Sequence, residues 1–217
     1  MKKLFALLAV LSFFIATPFA AAQNAERPEI KVGESWTYQD IDDWKNTEKE
    51  KYTYTVAAVS DKEIRLSRKS ETSGAVVNVT ETPDLNFTTK VGYDGTFLQY
   101  TPDNGTFVFP LTPGATWKAE TNYKKSSGAV GSYSLPAVAA GWEKVTVPAG
   151  EFLALKITEE GYYRASVGGS SGQGRMKMTL WYAPQAKGMV KVVYEDTDWG
   201  GKTYNRVTTQ LAAYKVN

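Results

Sequence analysis

Two segments of this chain carry acids and an indole at the same spacing. Asp40-Ile41-Asp42-Asp43-Trp44 and Glu195-Asp196-Thr197-Asp198-Trp199 both read acid-x-x-Asp-Trp, and each is followed by polar turn residues and another extended run. Carboxylates grouped beside a Trp suit two chemistries. One is oxygen ligation of a hard cation; the other is a sugar platform in which the indole covers a ring face and the acids take its hydroxyls. Neither segment has the alternating acids, central Gly and terminal Glu of an EF-hand loop. Asp also favours turns in its own right, because its side chain bonds nearby backbone amides. Asp43, Trp44, Asp198 and Trp199 are therefore candidate surface tips, with plain turn chemistry as the competing reading.

Other reactive arrangements are restricted by what the chain lacks. It contains no His and no Cys, so Ser-His-Asp and Cys-His catalysis are excluded and zinc, copper, haem and iron–sulfur sites lose their usual ligands. No metal site and no cofactor is expected beyond a weak oxygen-ligated cation. Carboxylate chemistry of the glycosidase type needs two acids facing each other across a cleft. Glu159, Glu160 and Glu195 are available, but Glu159 and Glu160 are neighbours and on a strand point to opposite faces. Gly168-Gly169-Ser170-Ser171-Gly172-Gln173-Gly174 lacks the Gly-Lys-Ser/Thr ending of a phosphate loop, and no helical pattern follows it. It reads as a flexible loop between strands ending at Val167 and starting at Arg175.

The remaining signal is aromatic: six Trp and 13 Tyr, many of them late in the chain. Filling a β core is their ordinary use. Adjacent pairs such as Tyr162-Tyr163 and Trp181-Tyr182 put one ring on each face of a strand, more than one-sided packing needs. Trp117, Trp142, Trp181 and Tyr182 are therefore the candidate ligand-binding residues, lining an apolar cavity or groove.

These residues sit on elements that read as strands. Tyr52, Tyr54 and Val56 alternate with Thr53 and Thr55; Met176, Met178, Leu180 and Tyr182 alternate with Lys177 and Thr179; Val207, Thr209, Leu211 and Ala213 alternate with polar neighbours. Period two with one polar face marks antiparallel strands packed on one side. Asp61-Lys62, Ser73-Gly74, Asp94-Gly95, Asn104-Gly105, Ala149-Gly150 and Gly200-Gly201 punctuate the runs as hairpin turns. Phe152 to Tyr163 is assigned to strand. The expected fold is all-β: an antiparallel β-barrel or strongly curved β-sheet of about twelve strands. Ile30-Lys31-Val32-Gly33-Glu34-Ser35-Trp36 and Leu111-Thr112-Pro113-Gly114-Ala115-Thr116-Trp117 share the pattern apolar-x-x-Gly-x-x-Trp, which two similar halves would explain.

The amino-terminal residues read as a cleaved signal peptide over 1–22. Lys2 and Lys3 precede an apolar run from Leu4 to Ile15, Pro18 ends it, and Ala20-Ala21-Ala22 places the cut before Gln23. The run is shorter than the roughly 20 residues of a spanning helix. Residues 23–217 are expected to form a single β-rich domain, periplasmic or secreted, with no transmembrane helix. Two of the 25 basic residues lie in the leader, leaving 23 of each sign. A neutral surface has no footprint for nucleic acid, whose binding rests on Lys and Arg neutralising phosphates.

Trp142-x-x-Val145-x-Val147-Pro148-Ala149-Gly150-x-Phe152-x-Ala154-x-Lys156-Ile157, followed by Leu180-Trp181-Tyr182-Ala183-Pro184-x-x-Lys187-Gly188-x-Val190-Lys191, resembles a recurrent pattern in uncharacterised exported bacterial β-rich proteins. Such proteins are distantly similar to the open β-barrels of periplasmic lipoprotein carriers, which hold acyl chains. The resemblance implies architecture, since a fold does not fix a function. The expected function is a non-catalytic exported binding or interaction protein, for an apolar or amphiphilic ligand such as a lipid or for an envelope partner. Two alternatives remain open: a carbohydrate-directed protein using the Asp-Trp tips, and a structural cell-envelope component pairing through a sheet edge.

Overall fold

Strands form where apolar and polar residues alternate, because one face of each must leave water while the other stays in it. In the computed structural model, which describes residues 24–217, this alternation produces twelve strands: β1 Ser35–Asp42, β2 Thr47–Val59, β3 Ile64–Ser70, β4 Val76–Glu81, β5 Phe87–Val91, β6 Phe97–Thr101, β7 Thr116–Lys125, β8 Val130–Val147, β9 Gly150–Val167, β10 Ser170–Ala183, β11 Gly188–Asp198 and β12 Thr203–Lys215. Each pairs antiparallel with its sequence neighbours. β1 then pairs with β12, from Ser35 opposite Lys215 to Asp42 opposite Val207, and closes the barrel. Closure gives every strand a neighbour on both sides, although residues 76–79 of β4 have no partner on β5 and residues 116–121 of β7 none on β6. Residues 1–22, expected to be a signal peptide, lie outside the described residues.

The faces sort mostly as the period-two pattern predicts; near the end of β12 the register shift opposite Thr37 and Tyr38 reverses it, so Ala213 is exposed and Tyr214 packs against the core. Tyr52, Tyr54 and Val56 are buried, as are Leu180, Tyr182, Val207, Thr209 and Leu211. The outer face carries Arg65, Lys118, Glu120, Lys144, Glu151, Arg175 and Lys177, all with side chains more than half exposed. Aromatics inside and charges outside are the reverse of a membrane-embedded barrel. Among the described residues no helix is long and apolar enough to cross a membrane.

Two turn assignments change. Gly168–Gly174 is not a loop: Gly168 and Gly169, at φ 56° and 83°, make a two-residue hairpin, and Ser170 to Gly174 already pair with Val167 to Tyr163. Both central residues at positive φ are what a type I′ turn requires. Asn104-Gly105 is not a hairpin. It lies in the long connection 102–115, where the Asn104 carbonyl accepts from Tyr133 Oη (2.8 Å) and the Gly105 carbonyl from Trp117 Nε1 (3.1 Å). A Cβ on Gly105 would stand 3.0 Å from Ala119 Cα, so Gly is needed there for close approach as well as for φ.

The sequence repeat is a structural repeat. Gly33 and Gly114 share φ 86°. Gly33 donates to the Val56 carbonyl and Val56 back to Glu34; Gly114 donates to the Ala139 carbonyl and Ala139 back to Ala115. Each unit thus hangs an inward Trp at a strand start, six strands apart. Both lie at the barrel end opposite the odd-numbered hairpins, where Ala25 bridges Leu111. Together with Pro184–Ala186, a single 3-10 turn, they floor the barrel. The other end carries the turns after β1, β3, β5, β7, β9 and β11.

Candidate functional site

A β-bulge places the central residue of the lumen. Thr80 on β4 pairs with Thr89 but Glu81 pairs with Phe87, so β5 carries one extra residue, Thr88. Thr88 and Thr89 then lie on one face, both hydroxyls bonding Thr80 Oγ1. The parity of the strand changes, and Lys90 enters the barrel opposite Leu98. Bulges re-aim side chains in this way. Simple alternation would send Lys90 outward, which is why the sequence gives it no prominence.

Lys90 borders an interior cavity of two lobes. The smaller, about 100 Å³, is walled by Trp36, Tyr38, Tyr52, Tyr54, Asp40, Arg68 and Glu81. The larger, about 340 Å³, is walled by Leu98, Tyr100, Tyr133, Met176, Met178, Leu180 and Tyr194. Phe87, Lys90, Gly92, Tyr93, Met189 and Val192 line both. Tyr93 comes from the β5–β6 turn and crosses the lumen: its ring lies 4.9 Å from Tyr194 on β11, and its hydroxyl is 3.3 Å from Thr209 Oγ1 on β12. The larger lobe reaches the hairpin end, where half-exposed Tyr204 and the Lys125–Asp94 ion pair (2.6 Å) form its rim. Burial works to raise the Asp94 pKa, but hydrogen bonds from Lys125 and Thr96 outweigh it and hold the carboxyl down at about 2.

The lumen holds several ionisable groups in low dielectric. Arg68 is ion-paired to Glu50 at 2.8 Å and lies 4.0 Å from the centre of the Tyr52 ring. Asp40 accepts from Thr209 Oγ1 at 2.6 Å and from Tyr52 Oη at 3.3 Å; burial raises its pKa, opposed by the Thr209 bond. Glu81 and Glu159 are pushed up to about 8 by burial, with Lys90 opposing in both cases. Neither oxygen of Glu159, which is fully buried, has a hydrogen-bond partner. A carboxyl with these surroundings is protonated near neutrality.

The four aromatic candidates do not line this cavity. Trp117 faces inward but donates to Gly105 and packs on the floor. Trp142 packs against the core from β8. Trp181 lies on the opposite face of β10 from Leu180, between Lys156 and Lys191 (ring distances 5.6 and 5.2 Å), and its indole donates to Glu143. Tyr182 is fully buried against Phe107 and Phe109, its hydroxyl unpartnered. What the sequence reading missed is the tyrosine-and-methionine wall: Met176 and Met178 were legible as one face, but not as the lining of a void.

The acidic tips lie at the same end of the barrel and form Asx-type turns. Asp42 Oδ1 accepts from the amides of Trp44 and Lys45, and Asp198 Oδ1 from that of Lys202. Asp43 accepts from Thr208 Oγ1 across the β1–β12 seam. Trp44 is 55% exposed and Trp199 69%, the latter 6.3 Å from the ring of Tyr162. Among the described residues no group of acids is arranged to hold a metal ion.

No family model matches this sequence, and no curated protein matches it. Solved structures do share the fold. A candidate exported protein with a YmcC-like fold from Bacteroides fragilis superposes with a TM-score of 0.53 at 14% identity, over 90% of this chain and 100% of that one. A candidate lipoprotein from Parabacteroides distasonis gives 0.51 at 14% identity, over 88% and 97%. At that identity the likeness is one of architecture: these are barrels of the same build.

Proposed function

We propose that this protein is a non-catalytic, exported binding protein that holds a small, largely apolar or amphiphilic molecule inside its barrel. The observation that carries the reading is the two-lobed lumen, whose larger lobe is walled by methionine, leucine and tyrosine and reaches solvent at one end. Its volume falls at the low end of the roughly 300–1,000 Å³ of small-molecule pockets, and methionine adapts to irregular apolar guests. Export is supported by the leader pattern and by the description of the two structural neighbours as exported protein and lipoprotein. Protein purified from its own envelope should carry a small molecule visible by native mass spectrometry. The delipidated protein should bind N-phenylnaphthylamine, and Met178→Trp, which fills the lobe, should abolish that binding. A protein that carries nothing and binds no apolar probe refutes the reading.

A second reading is favoured by one feature of the outer surface. The exposed Tyr162–Trp199 ring pair adjoins a polar groove lined by Asn122, Ser132, Ser134 and Arg164, a surface suited to a sugar chain. Loss of glycan binding in Trp199→Ala, with stability changed by no more than about 0.5 kcal/mol, supports it; no glycan binding by the parent protein removes it.

A further inference from the structure

We propose that Lys90 is an anion anchor, so that the ligand of the lumen is an acidic amphiphile: a carboxylate or similar anionic head at Lys90, with an apolar tail among Leu98, Met176, Met178 and Leu180. This rests on the lumen being the binding compartment. Lys90 is the cation shared by both lobes. Its ammonium makes no hydrogen bond and no ion pair among the described residues; its nearest specific contacts are the rings of Phe87 and Tyr93, each at 5.7 Å. Lys90 is half-buried; a charge turned into the barrel without a hydrogen-bonded partner loses hydration that no neighbour replaces, and the bulge that turns it inward is a specific backbone device.

The acids nearby do not fill that role. Asp40 is committed to Thr209 and Tyr52, Glu159 is enclosed and lines neither lobe, and Glu81 and Glu159 are carboxylic acids rather than carboxylates near pH 7. Arg68 already has Glu50. Burial works to depress the Lys90 ammonium, opposed first by Asp40, and an incoming anion would supply a counter-charge within hydrogen-bond reach. Both lobes are walled mostly by apolar and aromatic groups, and Lys90 is the cation at their junction, so a molecule with one anionic end has a defined orientation with its head at the partition.

The test compares dodecanoate, dodecanol and dodecyltrimethylammonium as displacers of a bound apolar fluorophore at pH 7. Dodecanoate should bind about ten-fold or more tighter than dodecanol, the increment of a charge-assisted hydrogen bond. Lys90→Met should erase that preference while leaving dodecanol affinity unchanged, and Lys90→Arg should keep it; thermal melts of both variants verify folding. Equal affinity for acid and alcohol, a preference for the cation, or a preference that survives Lys90→Met overturns the anchor while leaving the lumen as a binding site. Displacement by none of the three overturns the anchor and the lumen reading together.

Discussion

The ammonium of Lys187 lies 2.6 Å from the carboxylate of Glu34, joining the β10–β11 connection to the segment that opens β1. Glu34 is fully buried, and its oxygens also accept from the amides of Lys31 (3.0 Å) and Asn217 (2.9 Å). Lys187 reaches further to the Glu29 carbonyl, and the neighbouring Ala186 carbonyl accepts from Trp36 Nε1 at 2.6 Å. The Tyr182-Ala183-Pro184-x-x-Lys187-Gly188 motif therefore acts as a clamp on the floor: Tyr182 fills it, Pro184 starts the 3-10 turn, and Lys187 at φ 51° aims its side chain at Glu34.

Removing one partner of this pair should leave the other buried and uncompensated. Glu34→Ala is expected to cost about 3 kcal/mol, read as a lowered urea midpoint with unchanged slope. Burial works against the charge on Glu34, but the bonds from Asn217, Lys187 and Lys31 prevail and hold its pKa below the ordinary 4.5. A depressed acid contributes stability above its unfolded value and loses it below, so the variant and the parent should converge as pH falls under about 4.5.

Two acids, Glu81 beside the lumen and Glu159 enclosed behind it, predict the opposite trend. Glu81 and Glu159 keep their protons up to about pH 8 when folded but release them near 4.5 when unfolded. Between those values the native state binds more protons, so stability should fall as pH rises from about 4.5 to about 8. Lys90 faces both acids, with Tyr38 and Tyr54 beside Glu81 and Tyr133 beside Glu159. Urea midpoints across that range check the slope. Glu159→Gln, which cannot ionise, should flatten it and exceed the parent in stability at pH 8.

Close backbone packing in the second half should be intolerant of a single methyl. A Cβ on Gly161 would stand 2.2 Å from the Ser134 carbonyl oxygen and 3.1 Å from Leu135 Cα. Gly161→Ala is expected to cost about 1–3 kcal/mol or more. Gly172→Ala, where nothing lies within 4 Å, should stay within about 0.5 kcal/mol of the parent. Thermal melts of the two variants separate close packing from a general effect of replacing strand glycines.

The adjacent rings of Trp181 and Tyr182 should behave differently. Tyr182→Phe removes a buried hydroxyl that has no partner, so stability should hold or rise by up to about 1 kcal/mol. Tyr182→Ala should cost about 4 kcal/mol by leaving a cavity against Phe107 and Phe109. Trp181→Ala should leave the affinity of a lumen probe unchanged, because its indole is on the other face of β10 from the cavity. Denaturant midpoints and probe titrations on the same preparations measure both.

Much of this architecture is legible in the amino acids. Twelve strands follow from alternation such as Met176, Met178, Leu180 and Tyr182, because water removal acts on each strand's own two faces. The apolar-x-x-Gly-x-x-Trp repeat is local as well: Gly33 and Gly114 each need positive φ to turn the chain and start a strand. The absence of His and Cys excludes whole chemistries before any coordinates exist. What tertiary structure alone decides is which inward face meets a void and which meets a neighbour. Trp117 and Tyr182 point inward as their pattern implies, yet the connection 102–115 folds back and fills the space beside them. Trp181 lies outside the lumen because Leu180 already occupies that face of β10. Lys90 is inside for a reason that no period-two pattern carries: Thr88 is one residue too many between Phe87 and Lys90, and the parity of β5 is fixed only when β4 pairs with it. The site is legible late because its residues come from nearly every strand, and barrel closure, through contacts as distant in sequence as Asp40 and Thr209, brings them to one place.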